Sequence, residues 1–219
     1  MQPRLIVLLA SFFILLGLAP LSYAANYKID ADHSAVTFKI KHLFSKVQGN
    51  FNKFEGTFDY EAGKPETWKT QAVIDATSID TNVEKRDHHL QSKDFFDVEN
   101  FPQITFKSTG AHDVTETTAK LDGLLNMHGV EKPVTLDLEI LGVANDPWGN
   151  TRAAFTATTR VNRKDFGLSW NQALETGQLL VGEEVEITLE VEGIKQEEPA
   201  AEAPAQASEK EESEAKQAS

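Results

Sequence analysis

Residues 184–192 read Glu-Val-Glu-Ile-Thr-Leu-Glu-Val-Glu (EVEITLEVE), with Val185, Ile187, Leu189 and Val191 on one side and Glu184, Glu186, Thr188, Glu190 and Glu192 on the other. A period of two is that of a strand with one apolar and one wet face. Working outward, the same alternation recurs at Val36, Phe38, Ile40 and His42, at Phe54, Gly56, Phe58 and Tyr60, and at Val134, Leu136, Leu138 and Ile140. Less regular strand-like stretches are Trp68 to Ala76, Phe101 to Thr109, Ala119 to Leu125 and Arg152 to Asn162. Turn signals such as Ala62-Gly63-Lys64-Pro65 and Asn145 to Asn150 separate them. The count comes to about eight strands, the number at which an antiparallel sheet closes into a barrel able to hold one small ligand.

Two stretches break the pattern. Asn82 to Asp94 (NVEKRDHHLQSKD) predicts a short helix, with Asp80 and Thr81 ahead of it as capping oxygens. Asp165 to Thr176 (DFGLSWNQALET) predicts a helical turn placed to plug one mouth of a barrel. Neither is long enough to form a layer, so the fold class is all-β and mostly antiparallel. Phe is abundant, 13 against 2 Met, and such rings either fill a sandwich or line an apolar channel. Alternation alone leaves both open.

Both ends read as lying outside the fold. Leu5 to Leu18 is an apolar run behind Arg4, followed by Pro20 and the small-x-small pattern Ser22-Tyr23-Ala24. Residues 1–24 therefore read as a cleavable secretory signal peptide, because spanning a bilayer takes about 20 apolar residues. After processing the protein is expected in the periplasm, not integral to a membrane. Gln196 to Ser219 contains no Val, Ile, Leu, Met, Phe, Tyr or Trp and carries seven Glu against two Lys. Residues 196–219 thus read as a disordered acidic tail, and residues 25–195 as one domain.

Composition removes several functions. With no Cys in 219 residues, disulfide frameworks, thiol catalysis and cysteine-ligated metals are excluded. A net charge of −13 argues against nucleic-acid binding, which needs a basic face. No Walker loop, GxGxxG, HExxH or GxSxG elbow is present, and no cofactor is expected. Four histidines, His33, His42, His89 and His128, are a conceivable metal set, but scattered His are more often hydrogen-bonded or surface residues. Asp32-His33-Ser34 holds the residue types of a hydrolase triad, yet sequence neighbours cannot form the relay. Arg86-Asp87-His88-His89 is the densest polar cluster. It reads equally as an ion-paired helix surface or as a rim orienting an anionic or hydroxylated head group.

The order of these pieces resembles the YceI-like family of polyisoprenoid-binding, lipocalin-like periplasmic proteins, over about Tyr27 to Gly193. The carrying segments are Ile29-Asp30 with His33-Ser34, His42-Leu43, Gly49 to Phe54, and Ser78 to Thr81. The most specific is Arg86-Asp87-His88-His89-Leu90 running into Asp94 to Asp97 and Phe101 to Phe106. His128-Gly129-Val130, Pro147-Trp148-Gly149, Asn162-Arg163, Asp165-Phe166-Gly167 and Val181-Gly182 follow in order. The resemblance implies an extended eight-stranded antiparallel barrel with short inserted helices, whose apolar tunnel holds an isoprenoid or similar long-chain lipid. It also implies periplasmic export, an association with stress responses, and a binding protein instead of an enzyme. The acidic tail has no counterpart in that pattern, and a homodimer is left open.

On that frame, strand parity assigns Phe38, Ile40, Phe58, Ile74, Phe106, Leu136, Phe155 and Ile187 to the tunnel lining. Arg86, Asp87, His89 and Arg163 are assigned to the head group at one mouth. The competing reading is a lipid-modifying enzyme using His89 or His33 as general base with Asp87 as orienter.

Overall fold

Alternation makes a strand only as long as nothing interrupts it, and three short interruptions turn eight barrel staves into eleven strands. The computed structural model describes residues 24–197. Its strands are β1 (Ala25–Ile29), β2 (Ala35–His42), β3 (Ser45–Phe51), β4 (Phe54–Tyr60), β5 (Lys69–Asp75), β6 (Ile79–Asp80), β7 (Gln103–His112), β8 (Thr118–Met127), β9 (Val130–Asn145), β10 (Thr151–Asn162) and β11 (Val181–Lys195). One helix, α1 (Glu84–Gln91), follows β6. The sheet runs β1-β4-β5-β7-β8-β9-β10-β11-β2-β3-β6, and β1 also pairs with β11, which closes an antiparallel barrel.

The doubled strands resolve the count. Strand β11 meets β1 near its C-terminal end (Ile29 opposite Gly193) and β2 earlier (Phe38 opposite Ile187). On their other side β1 pairs with β4 and β2 with β3, while β4 pairs with β5 and β3 with β6. Thus β1 with β2, β3 with β4, and β5 with β6 are each one stave broken by a few residues. Side-chain oxygens hold two of the breaks: Asp30 accepts from the amide of Asp32 at 3.1 Å, and Asp75 from that of Thr77 at 2.9 Å.

Three strands, β1, β3 and β6, escaped the alternation reading. The case of β3 has a clear cause, because the inward position between Val47 and Phe51 is Gly49. The ring of Phe38, opposite in register, fills that slot so closely that a Cβ on Gly49 would stand 2.5 Å from it. An apolar signal missing from β3 is thus supplied by β2.

Helix α1 forms where a helix is predicted, but it starts at Val83 without a side-chain cap. Asp80 instead accepts from the amide of Asn82 at 2.7 Å, and Thr81 is occupied elsewhere. The segment after β10 also differs from expectation. Its helical turn lies upstream, at Arg163–Phe166, and Asn162 caps it by accepting from the amide of Lys164 at 3.0 Å. Gly167 then leaves the turn in the left-handed region at φ 80°, and the chain runs on in irregular form over the barrel end.

The interior divides into three layers. At one end Tyr27, Phe58, Tyr60, Trp68 and Phe155 are all buried and form a floor of rings. Tyr27 stacks on Phe58 at 5.1 Å, and Phe155 meets Phe58 and Tyr60 edge-on at 5.4 and 5.0 Å. Such pairs contribute about 0.5–1.5 kcal/mol each beyond burial. Leu121, Leu136 and Ala157 make a thin waist. At the far end a second cluster gathers Phe51, Ile79, Phe95, Ile104, Val161, Phe166 and Leu168.

Outside the floor, Arg152 is clasped by three carboxylates. Its Nη1 donates to Asp30 at 2.7 Å and Glu192 at 2.6 Å, and its Nε to Asp146 at 2.8 Å. These contacts hold the Asp146 carboxyl far below its usual range and lower that of Asp30. Among the described residues no helix is long and apolar enough to cross a membrane. The leader read over residues 1–24 and the tail read over residues 196–219 lie, but for Ala24 and residues 196–197, outside the described residues.

Candidate functional site

Between the floor and the far end the barrel is not filled. A cavity of about 380 Å³ runs from Phe58, Tyr60 and Trp68 up to α1 and the segment after β10, and its wall is almost wholly apolar. That size lies within the range of small-molecule pockets. All eight side chains assigned inward by parity line it: Phe38 and Ile40 from β2, Phe58 from β4, Ile74 from β5, Phe106 from β7, Leu136 from β9, Phe155 from β10 and Ile187 from β11. Phe106 is held flat against its wall by Gly123 of β8, where an added Cβ would meet the ring at 2.3 Å.

The lining side chains Arg86, His89 and Arg163 gather at one end. Helix α1 is polar nearly all round, but its period brings Arg86, His89 and Leu90, three and four residues apart, to the cavity wall. Glu84, Lys85 and His88 remain exposed. The ring of His89 meets Phe95 edge-on at 5.1 Å and Trp170 at 4.9 Å, and Phe95 and Trp170 lie 5.2 Å apart. His89 Nε2 hydrogen-bonds Asp94 at 2.9 Å, which orients the imidazole. Trp170, Leu168 and Leu180 bring the irregular segment after β10 into the same wall, so that segment does lie at a barrel mouth, though without the predicted helix.

Asp87 stands apart from the other three head-group assignments. It does not line the cavity; its Oδ1 accepts from the amide of Thr81 at 2.9 Å and from the Thr81 hydroxyl. Arg86 grips the same residue, with Nε donating to the Thr81 hydroxyl at 2.7 Å and Nη2 to its carbonyl at 2.8 Å. Thr81 is only 3% exposed. This clamp fixes α1 to the end of β6 and consumes the carboxylate that the sequence offered to a ligand or to a histidine. The expected pairing of Asp87 with His89 or His33 is therefore not formed.

Arg163 is the deepest charge in the site, 3% exposed and on the cavity wall. Its Nε donates to the Gly182 carbonyl at 2.8 Å and its Nη1 to the Leu168 carbonyl, which ties the start of β11 to the mouth segment. Its Nη2 is buried without a hydrogen-bond partner. Burial pushes the guanidinium below its usual value, with Glu183 acting in the opposite sense.

The four histidines considered as a metal set do not converge. His33 bonds Asp30 at 2.8 Å, His89 bonds Asp94, and His128 Nδ1 bonds the Phe166 carbonyl at 3.2 Å. Among the described residues the trio close enough to share an ion is Asp30, His33 and Glu192, and the Arg152 guanidinium already sits on both of its carboxylates. What sequence reasoning missed at the mouth is Thr81, Phe95, Leu168 and Trp170. Thr81 reads in sequence as a helix cap, and the rest lie in stretches without alternation.

Comparison with known proteins adds the following. A model of the YceI-like domain family matches residues 27–193. A UPF0312 protein of Yersinia enterocolitica is 42% identical over 175 residues, covering 78% of this chain and 88% of that protein. The crystal structure of the Campylobacter jejuni YceI protein superposes with a TM-score of 0.63 at 30% identity, covering 72% of this chain and 90% of that one. A polyisoprenoid binding domain from Saccharophagus degradans superposes with a TM-score of 0.60, over 79% of this chain and 99% of that domain. Its 17% identity makes that last likeness one of fold alone.

Proposed function

The chain belongs to the YceI-like domain family, and from that premise we propose that it is a periplasmic carrier of an isoprenoid or similar long-chain amphiphile. The chain of the ligand lies in the barrel, and its head sits at the mouth near Arg86, His89 and Arg163. The observation that carries this reading is a closed barrel enclosing an apolar cavity whose two lining arginines stand on α1 and on the turn after β10. Hydrocarbon costs about 25 cal/mol per Å² in water, and a continuous apolar wall removes that cost along the whole chain. The leader read over residues 1–24 supports export, and the net negative charge suits a shuttle that is repelled by anionic lipid surfaces. Phe38, Ile40, Phe58, Ile74, Phe106, Leu136, Phe155 and Ile187 would contact the chain, with Thr81 and Asp87 positioning α1.

The test is organic extraction and mass spectrometry of the processed protein, purified gently from the periplasm without detergent. One polyprenyl species in stoichiometric amount is the expected result. An empty barrel, or an unselective mixture of fatty acids and amides, would overturn the isoprenoid assignment. Replacing Phe38 and Phe106 together by Asp is expected to abolish retention, and unchanged retention in a folded double variant would remove the tunnel from the account.

A further inference from the structure

Among the described residues two rings stand almost fully in water, Phe44 at 92% exposure and Trp148 at 81%. They mark opposite ends of the barrel, Phe44 in the turn between β2 and β3 and Trp148 in that between β9 and β10. The turn at Phe44 is unusual in its make-up. Two-residue hairpin turns favour Gly, Asn or Asp, which take a positive φ with little strain. Here the pair is Leu43-Phe44, and Leu43 is held at φ 52°. A polar pair would fold and dissolve more easily, so the apolar one runs against local preference.

The surroundings of this turn point to its use. The amide of Leu43 donates to the Leu180 carbonyl at 2.9 Å, which joins the hairpin tip to the segment ahead of β11. That segment exposes Leu179 at 47%. Immediately behind these side chains His42, Val47, Leu180 and Val181 line the cavity, so the exposed lip is continuous with the apolar wall. Residues 35–51, the whole hairpin, hold three Lys and no Asp or Glu in a chain of net charge −13. Lys39 and Lys46 face Glu186 of β11, with Lys46 on it at 2.8 Å, while Lys41 beside the tip is exposed. Trp148 has other company. Its amide donates to Asp146 at 2.9 Å, and three carboxylates gather there about Arg152.

We propose that Phe44 and Leu179 form a lip that docks this end of the barrel on a lipid bilayer surface. The proposal rests on the carrier reading and adds the surface from which the cargo is taken. A long-chain amphiphile resides in membranes, and the floor shuts the other end of the barrel, so the lip stands at the end that has to meet the source. An aromatic ring and a leucine with lysine behind them suit the boundary between headgroups and acyl chains. The acidic remainder of the surface confines the contact to the lip and keeps it reversible.

The test floats the processed protein with vesicles of phosphatidylcholine. It compares the double change Phe44→Ser with Leu179→Ser against Trp148→Ser, the control from the opposite end. The unaltered protein is expected to float, the double variant to partition about tenfold less, and Trp148→Ser to behave as the unaltered protein. Equal losses from both changes would mean adsorption through any exposed ring and overturn the lip. An unaltered protein that stays in solution also overturns it and leaves the carrier reading intact, with a partner protein then required to hand over the lipid. Phe44→Trp decides even where the double variant is unstable. It is expected to add fluorescence that phosphatidylcholine brominated in its acyl chains quenches, and no added quenching overturns the lip. Docking without uptake of geranylgeraniol from vesicles that contain it would overturn the carrier reading and leave the docking surface standing.

Discussion

The two ends of the barrel are both built from aromatic rings, yet they do opposite things. At the floor, Tyr27, Phe58, Tyr60 and Phe155 come from strands already fixed by ladder hydrogen bonds, and Trp68 stands immediately before β5. All five are buried and in mutual contact. Their polar atoms are kept out of play: Trp68 Nε1 donates to the Glu61 carbonyl at 2.8 Å, and burial raises the phenols of Tyr27 and Tyr60, which keeps them neutral. At the mouth, His89, Phe95 and Trp170 come from a short helix and two irregular segments, and His89 keeps 40% of its side chain exposed. Rings seated on strands give a stop with a fixed position. Rings seated on loops give a rim that can part without unfolding the barrel.

The comparison breaks most easily at Phe155. Phe155→Ala is expected to cost about 3–5 kcal/mol in urea unfolding, because the floor cannot collapse onto the space left. Trp170→Ala should cost about 1 kcal/mol or less and show mainly as faster loss of bound lipid. Equal destabilisation by the two changes would mean that the mouth is as much core as the floor. A smaller effect, expected between the two ends, comes from Gly123→Ala. The added methyl meets the Phe106 ring and the Lys107 carbonyl, an overpacking worth about 1–3 kcal/mol that also drives the ring into the cavity. Retention of the full-length lipid should fall, with shorter chains affected less; loss of stability without that shift in chain length would place Phe106 outside the lining.

The smallest expected effect sharpens the floor's outer surface and depends on pH. The carboxyls of Asp30 and Asp146 are held below their usual range, so the unfolded chain binds protons that the folded one does not. The stability they contribute is complete above the unfolded carboxylate value, about 3.9, and drains away as pH falls through the folded values. Arg152→Met removes the cause. The gap in melting temperature between the two proteins should therefore be full above about pH 5 and close as the medium becomes more acidic. A gap independent of pH would make the clasp a packing feature alone.

Much of this was legible in the residues, for physical reasons that also mark the limit. Alternation reports which way a side chain faces, and on that basis eight residues assigned inward stand on the cavity wall. It does not report which atom a polar group will meet. Asp87 and Arg86 looked alike as head-group partners, but a buried Thr81 five and six residues upstream draws both, and Arg86 alone also reaches the wall. Arg163 carried no local signal of its burial, which comes from Gly182 and Leu168 folding back over it. The mouth segment lies where the sequence predicts it but in another local form, since Gly167 ends the turn before the stretch expected to be helical. Strand β3 disappeared from view because a glycine opposite Phe38 has no side chain to alternate. For Arg163, through Gly182, and for β3, through Phe38, the missing information was the identity of a contacting residue on another strand.

Strand β11 has a further consequence, which concerns order of assembly. It alone touches β10 on one side and both halves of the first stave on the other, so the loop of backbone that it shuts spans nearly the whole described chain. Without residues 181–195, the strands on either side of β11 would be left as two unpaired edges, and the apolar wall of the cavity would face water. A greasy molecule can then enter from the side, along its full length, without threading through any opening.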